Sequence, residues 1–227
     1  MRKNAIKRAL TLLVFCALTG SITAVAADAN YKLFGFEQTA YNDLEPFPQL
    51  ASAISRFQSQ RSAHINCMAK ARTPCPLSAW FALIDSLQQL PQEQLLAELN
   101  SRINDLPYKA DSYNYSSDDY WATPLDLMTN GGDCEDYAIA KMLALTHLGV
   151  TPDTMRIVVL QDTLSRSPHA VLAVQKGPNT LILDNRSNDI RSDHELKNYS
   201  PLYSINEKQW WLHVPFEVAQ RHFVQVD

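Results

Sequence analysis

The run Gly131-Gly132-Asp133-Cys134-Glu135-Asp136-Tyr137-Ala138 places one cysteine at the start of an apolar segment and surrounds it with three carboxylates. A thiol is a nucleophile only as the thiolate, and a helix N-terminus favours negative charge through its unpaired N–H groups and aligned peptide dipoles. Two adjacent glycines, from only six in the chain, suit a backbone that turns tightly before a helix begins. Asp133, Glu135 and Asp136 act in the opposite sense, because nearby negative charge disfavours a thiolate. A hard cation would offset that repulsion. Calcium is held by several oxygens from Asp, Glu and carbonyl groups, so Asp133, Glu135 and Asp136 are candidate calcium ligands, although no EF-hand spacing is present.

A cysteine nucleophile also needs a base, and the base needs a group that holds its tautomer and orientation. His169 begins the apolar run Pro168-His169-Ala170-Val171-Leu172-Ala173-Val174, and Asp184 closes Leu181-Ile182-Leu183-Asp184. With a four-residue turn over 175–178, Val174 pairs with Asn179 and His169 falls directly opposite Asp184, about 5 Å away on a shared face. A five-residue turn would put Asn185 there instead. Trp121 is a candidate for lining the site or lending its indole N–H to an oxyanion, and a core aromatic is its plain alternative.

Each of these residues also has an ordinary explanation. Asp133 suits a helix N-cap, Glu135 and Asp136 the first turn of a helix, His169 a strand edge and Asp184 a turn. Their coincidence in one chain points to a nucleophile, a base and an orienter. A zinc site built from His64, Cys67 and Cys75 lacks a fourth ligand at a familiar spacing.

Elements must bring these residues together. Helical periodicity is read over 48–66, 77–90 and 92–103, and 105–123, rich in Tyr, Asp and Ser, is read as a long loop. Residues 134–148 are apolar on nearly every face, with Gly149 at a left-handed cap position, which predicts a helix buried in the middle of the domain. The period then changes to two, with short strands expected over 155–161, 169–175, 180–184, 202–206 and 209–214. Helices followed by antiparallel strands make an α+β fold.

Residues 1–27 have a basic start, an apolar run and small residues at Ala24-Val25-Ala26, as in a cleaved secretory signal; 28–227 then form one domain with no stable membrane insertion. Phe15 before Cys16 argues against a lipid anchor, and Gly20-Ser21 interrupts the apolar run. Loss of Arg2, Lys3, Lys7 and Arg8 takes the formal net charge from −4 to −8, which disfavours nucleic acid as a partner. Cys67 and Cys75 are close enough in sequence to form a disulfide that leaves Cys134 free, or all three are reduced and buried.

The three segments Gly131-Gly132-Asp133-Cys134-Glu135-Asp136-Tyr137-Ala138, Pro168-His169-Ala170-Val171-Leu172 and Leu183-Asp184-Asn185, with Tyr120-Trp121-Ala122-Thr123-Pro124 upstream, resemble the bacterial transglutaminase-like cysteine proteinases. The resemblance covers most of the chain from about residue 30 onward. It implies a papain-like, transglutaminase-like core, a Cys134–His169–Asp184 triad and calcium-dependent proteolysis. Asp133 and Glu135 match the metal pattern best, with Asp136 beside them. It further implies a periplasmic location, cleavage of a large surface adhesin near its N-terminus at a pair of alanines, and restraint by a LapD-like inner-membrane receptor that senses a cyclic dinucleotide. A transglutaminase-type acyltransferase using the same residues, and a non-catalytic calcium- or receptor-binding module on the same scaffold, are the rival readings.

Overall fold

The computed structural model describes residues 32–70, 73–115 and 119–214. The expected signal segment, 1–27, lies outside the described residues. Among the described residues six α-helices come before nearly all of the sheet: α1 (Pro48–Ala69), α2 (Ser78–Asp85), α3 (Gln92–Asn104), the single turn α4 (Asp111–Asn114), α5 (Pro124–Asn130) and α6 (Cys134–His147). The strands are β1 (Glu37–Tyr41), β2 (Met155–Asp162), β3 (Ser167–Lys176), β4 (Asn179–Leu183), β5 (Arg191–Ser192), β6 (Tyr199–Ile205) and β7 (Trp210–Val214). They form one antiparallel sheet in the order β1-β7-β6-β2-β3-β4-β5. This is the expected α+β arrangement. Among the described residues no helix is long and apolar enough to cross a membrane.

α6 lies against β3 and β2, and its residues from Asp136 to Leu145 are all buried, which is what an apolar sequence on every face requires. Ile139 and Ala140 meet a core that runs from Trp80, Ile84 and Leu99 on the helices to Ile157, Leu172 and Leu183 on the sheet. The helix ends where the sequence places its cap. Gly149 has φ +88°, its N–H bonds to the carbonyl of Thr146 at 3.1 Å, and the N–H of Val150 reaches back to Leu145 at 2.9 Å.

Among the α-helices and strands, four elements went unrecognised: the single turn α4, inside the segment 105–123 read as a loop, the two-residue strand β5, β1 and α5. β1 is an edge strand whose residues are only part-buried or exposed, so it carries no clear period-two pattern; its pairing with β7 creates it. α5 does have a local signature. Thr123 Oγ1 accepts the N–H of Asp126 (3.2 Å), Asp126 Oδ2 accepts the N–H of Thr123 (3.1 Å), and Pro124 opens the helix.

The β3–β4 turn is shorter than expected. Lys176 pairs with Asn179 and Val174 with Leu181, so only Gly177 and Pro178 form the loop, with Gly177 at φ +59°. His169 is therefore not directly opposite Asp184. β4 ends at Leu183, and in this register Asp184 follows on opposite Val171, diagonal to His169. The shift is two residues, so the face is preserved, and a long side chain reaches a diagonal neighbour. Asn185 falls on the other face.

Candidate active site

The nucleophile loop is held by backbone geometry that only glycine permits. Gly131 has φ +81°, and a Cβ there would lie 2.7 Å from the carbonyl oxygen of Pro107. At Gly132 a Cβ would lie 2.3 Å from Asp136 Oδ2 and 2.9 Å from Leu127 Cδ1. Gly132 also pairs with the 107–109 segment: Lys109 N–H donates to its carbonyl (2.8 Å) and its own N–H donates to Pro107 (3.3 Å). Gly132→Ala is accordingly expected to lose about 1–3 kcal/mol of stability by overpacking, read in urea unfolding, and to depress activity more than stability because the helix start moves.

Cys134 is the first residue of α6, as expected, and is the free cysteine among the described residues; Cys67 and Cys75 form a disulfide with Cα atoms 5.7 Å apart. That bond removes the zinc alternative, and His64 Nδ1 accepts the N–H of Leu77 (3.2 Å). The Cys134 sulfur receives the backbone N–H of Ala170, the residue after His169, and its thiol donates to Glu135 Oε2 at 3.2 Å. Burial first, then the Glu135 carboxylate and Asp133, push the thiol well above its usual range.

His169 is 2 % exposed, and its Nε2 lies 2.8 Å from Asp184 Oδ1. Asp184 Oδ1 also accepts the N–H of Arg186 (2.9 Å), and Oδ2 accepts the Tyr199 hydroxyl (2.5 Å). Burial pushes this carboxyl up, but the hydrogen bonds and charge of His169, then Tyr199 and Arg186, outweigh it and hold Asp184 below the usual carboxylate value. An ionised Asp184 accepts, so Nε2 carries the proton. Nδ1 is left as the basic nitrogen, buried and with no hydrogen-bond partner.

The acidic cluster differs from the expected ligand set. Asp111, Asp133 and Asp136 each present an oxygen within 4.8 Å of the others, while Glu135 turns to the sulfur. Burial foremost, and mutual repulsion after it, raise Asp111 to about 6, Asp133 to about 7 and Asp136 to about 8. Asp136 already accepts the N–H groups of Ala122 (2.6 Å) and Asp133 (3.1 Å). Asp111 Oδ1 and Asp133 Oδ1, by contrast, are buried without any partner. Buried acceptors left unpaired are costly, and two of them in one carboxylate cluster suit a hard divalent cation that takes oxygen ligands. The residues present fit calcium.

Residues 57–216 match the family described as bacterial transglutaminase-like cysteine proteinase. The chain belongs to this family. In fold it is similar to Legionella pneumophila LapG, at 33% identity and TM-score 0.55, with 66% of this chain and 84% of that one covered. Calcium-bound LapG of the same organism gives TM-score 0.56 over 65% of this chain and 85% of that one, and EGTA-treated LapG gives 0.55 over 63% and 82%, both at 33% identity. No protein of curated function matches the sequence.

Within this proteinase, Trp121 does not carry the oxyanion role considered for its indole: the N–H donates to Asp119 Oδ1 at 2.8 Å, and the ring is 5 % exposed in the core. Asp111 was missed because it lies 22 residues before Asp133 in a stretch without periodicity, although Asp111 followed by Tyr and Ser reads as an acidic binding loop. Tyr199 was missed because only the pairing of β6 with β2 brings it beside β3. Tyr199→Phe removes a hydrogen bond to an ionised group, and kcat/KM is expected to fall by about tenfold or more with little change in KM. A loss confined to KM would contradict a role at Asp184.

Proposed function

We propose that this chain is a periplasmic, calcium-dependent cysteine endopeptidase that cleaves a large cell-surface adhesin near its N-terminus, at a pair of alanines, and so releases cells from a biofilm. A LapD-like inner-membrane receptor sensing a cyclic dinucleotide holds it in check. The observation that carries the hydrolytic reading is the Cys134 sulfur at the Ala170 N–H, one residue after His169, whose imidazole is clamped at Nε2 and open at Nδ1. The solved relatives in calcium-bound and EGTA-treated forms, with the unpartnered oxygens of Asp111 and Asp133, support the metal.

In this reading the thiol proton passes from the Glu135 side to His169 Nδ1, and the thiolate attacks the scissile carbonyl. The backbone N–H of Cys134, at the first helical position, stabilises the oxyanion. Imidazolium Nδ1–H then protonates the leaving amine. Water attacks the acyl-enzyme as Nδ1 takes its proton, and Asp184 holds the ring throughout. Asp111, Asp133 and Asp136 hold calcium, with Glu135 adjoining. When bound, the ion supplies two positive charges that cancel the carboxylate field on the sulfur. An amine acceptor in place of water would make the same site an acyltransferase, but no feature of the site favours one.

The test is incubation of an N-terminal adhesin fragment containing the di-alanine with the wild-type protein, with and without EGTA. Calcium-dependent cleavage between the alanines is expected. Transfer of the acyl group to an added amine, with no hydrolysis, would replace the peptidase by a transferase.

A further inference from the structure

Tyr108 stands directly beside the nucleophile loop. It forms an isolated parallel bridge with Gly132, in which the Gly132 N–H donates to the Pro107 carbonyl (3.3 Å) and the Lys109 N–H donates to the Gly132 carbonyl (2.8 Å). Both bonds use the groups on either side of Tyr108. In an extended chain successive residues turn their N–H and C=O to opposite edges, so those of Tyr108 itself point away from Gly132. Among the described residues no backbone group pairs with either of them. Pro107, Tyr108 and Lys109 are all exposed, Tyr108 to 63 %. A short strand is thus paired on one edge and open on the other.

The open edge is held in place. The close approach of Gly131, where a Cβ would lie 2.7 Å from the Pro107 carbonyl oxygen, presses the segment against the loop. One face of the Tyr108 ring stacks on Tyr137, with centroids 6.4 Å apart, and the Tyr137 hydroxyl donates to the Leu106 carbonyl at 2.5 Å. Exposure alone would not mark a site. Tyr113 is more exposed, at 83 %, but sits in the single turn α4 with no strand edge beside it.

We propose that the 107–109 edge docks the substrate: an extended stretch of polypeptide adds to it as a strand, its backbone bonding to the N–H and C=O of Tyr108 and one of its side chains packing on the Tyr108 ring. The inference rests on the peptidase reading of Cys134. Unpaired backbone groups on an exposed strand edge are a template for a further strand. Gly132 is one strand spacing, about 4.8 Å, from Tyr108 and two residues, at most about 7 Å, from Cys134, so a docked strand reaches the sulfur within about four of its own residues. Selection then falls on backbone conformation. A linker that can straighten is cut, while the same residues inside a helix are not.

The experiment uses the full, calcium-loaded chain and a peptide spanning the di-alanine of the adhesin fragment, with one backbone nitrogen at a time methylated. Binding is measured by calorimetry on the Cys134→Ala protein, and kcat and KM on the protein with its cysteine. Methylation at one position within about four residues of the scissile bond is expected to raise Kd about tenfold or more, while methylation of the two flanking positions, whose N–H groups face the other way, costs about twofold at most. Tyr108→Ala is expected to raise KM about five- to tenfold with kcat changed less than about twofold, and Tyr108→Phe, which keeps the ring, to recover that loss. A tyrosine that only steadied the Gly132 loop would lower kcat and leave KM alone. Should Tyr108→Ala fail to fold, the methylation series, which leaves the protein unaltered, decides. An even response to methylation along the peptide, no binding of the peptide at all, or a Tyr108→Ala effect confined to kcat overturns the proposal, and cleavage with an even response does so while keeping the peptidase. A position-specific loss of binding in a chain that cleaves nothing would sustain the docking edge and remove the peptidase reading.

Discussion

Cys134→Ala is expected to abolish cleavage of the adhesin fragment, with kcat/KM falling on the order of 10⁴–10⁶-fold. In the proposed reaction this sulfur attacks the scissile carbonyl, and Cys134 is the free cysteine among the described residues. His169→Ala should cost about as much, and the double variant little more, because both act in one step. Folding should survive. The Cys134 thiol makes one side-chain hydrogen bond, to Glu135, and its removal leaves the core of α6 untouched, so stability should stay within about 1 kcal/mol of wild type in urea unfolding. Residual cleavage above about one part in a hundred would remove covalent catalysis by Cys134.

Calcium removal comes second in expected effect. EGTA should lower cleavage at least about 100-fold, because the uncompensated carboxylates of Glu135 and Asp133 then disfavour the thiolate, and Asp133→Asn should lower it likewise by taking away an oxygen ligand of the ion. The same carboxylates make stability depend on pH in an unusual direction. Their folded values, about 6, 7 and 8, lie above the ordinary aspartate value of 3.8, so between about pH 4 and pH 8 the calcium-free folded state binds more protons than the unfolded chain. Its stability therefore falls as pH rises through that window. Calcium needs the ionised forms and offsets their repulsion, so the difference in Tm between calcium and EGTA should grow from pH 5 to pH 8, reaching several degrees at saturating ion. Equal Tm values at pH 8 would show that the cluster binds no calcium.

The positions of Cys134, His169 and Asp184 were legible because each sits where a local rule puts it. Cys134 follows a double glycine at a helix start, and His169 and Asp184 lie near the ends of strands with period-two patterning. The hairpin turn was misjudged by two residues, yet the pairing of His169 with Asp184 held, because an even shift returns every side chain to its own face. Glu135 and Asp136 were read from proximity in sequence alone. Helix geometry divides them: residue 135 turns to the sulfur beside it, while Asp136, three places after the N-cap, turns back to the Asp133 N–H.

Sequence alone determined the α+β order of elements, the burial of α6, the place of Cys134 at its first residue and the strand faces that carry His169 and Asp184, since these depend on periodicities and caps spanning a few residues. Tertiary structure decided that Asp111 joins Asp133 and Asp136, that Tyr199 completes the grip on Asp184, and that Trp121 is committed to Asp119. These contacts depend on how the loop folds over the helix start and how strands distant in sequence become neighbours. No local pattern of residues encodes such closure.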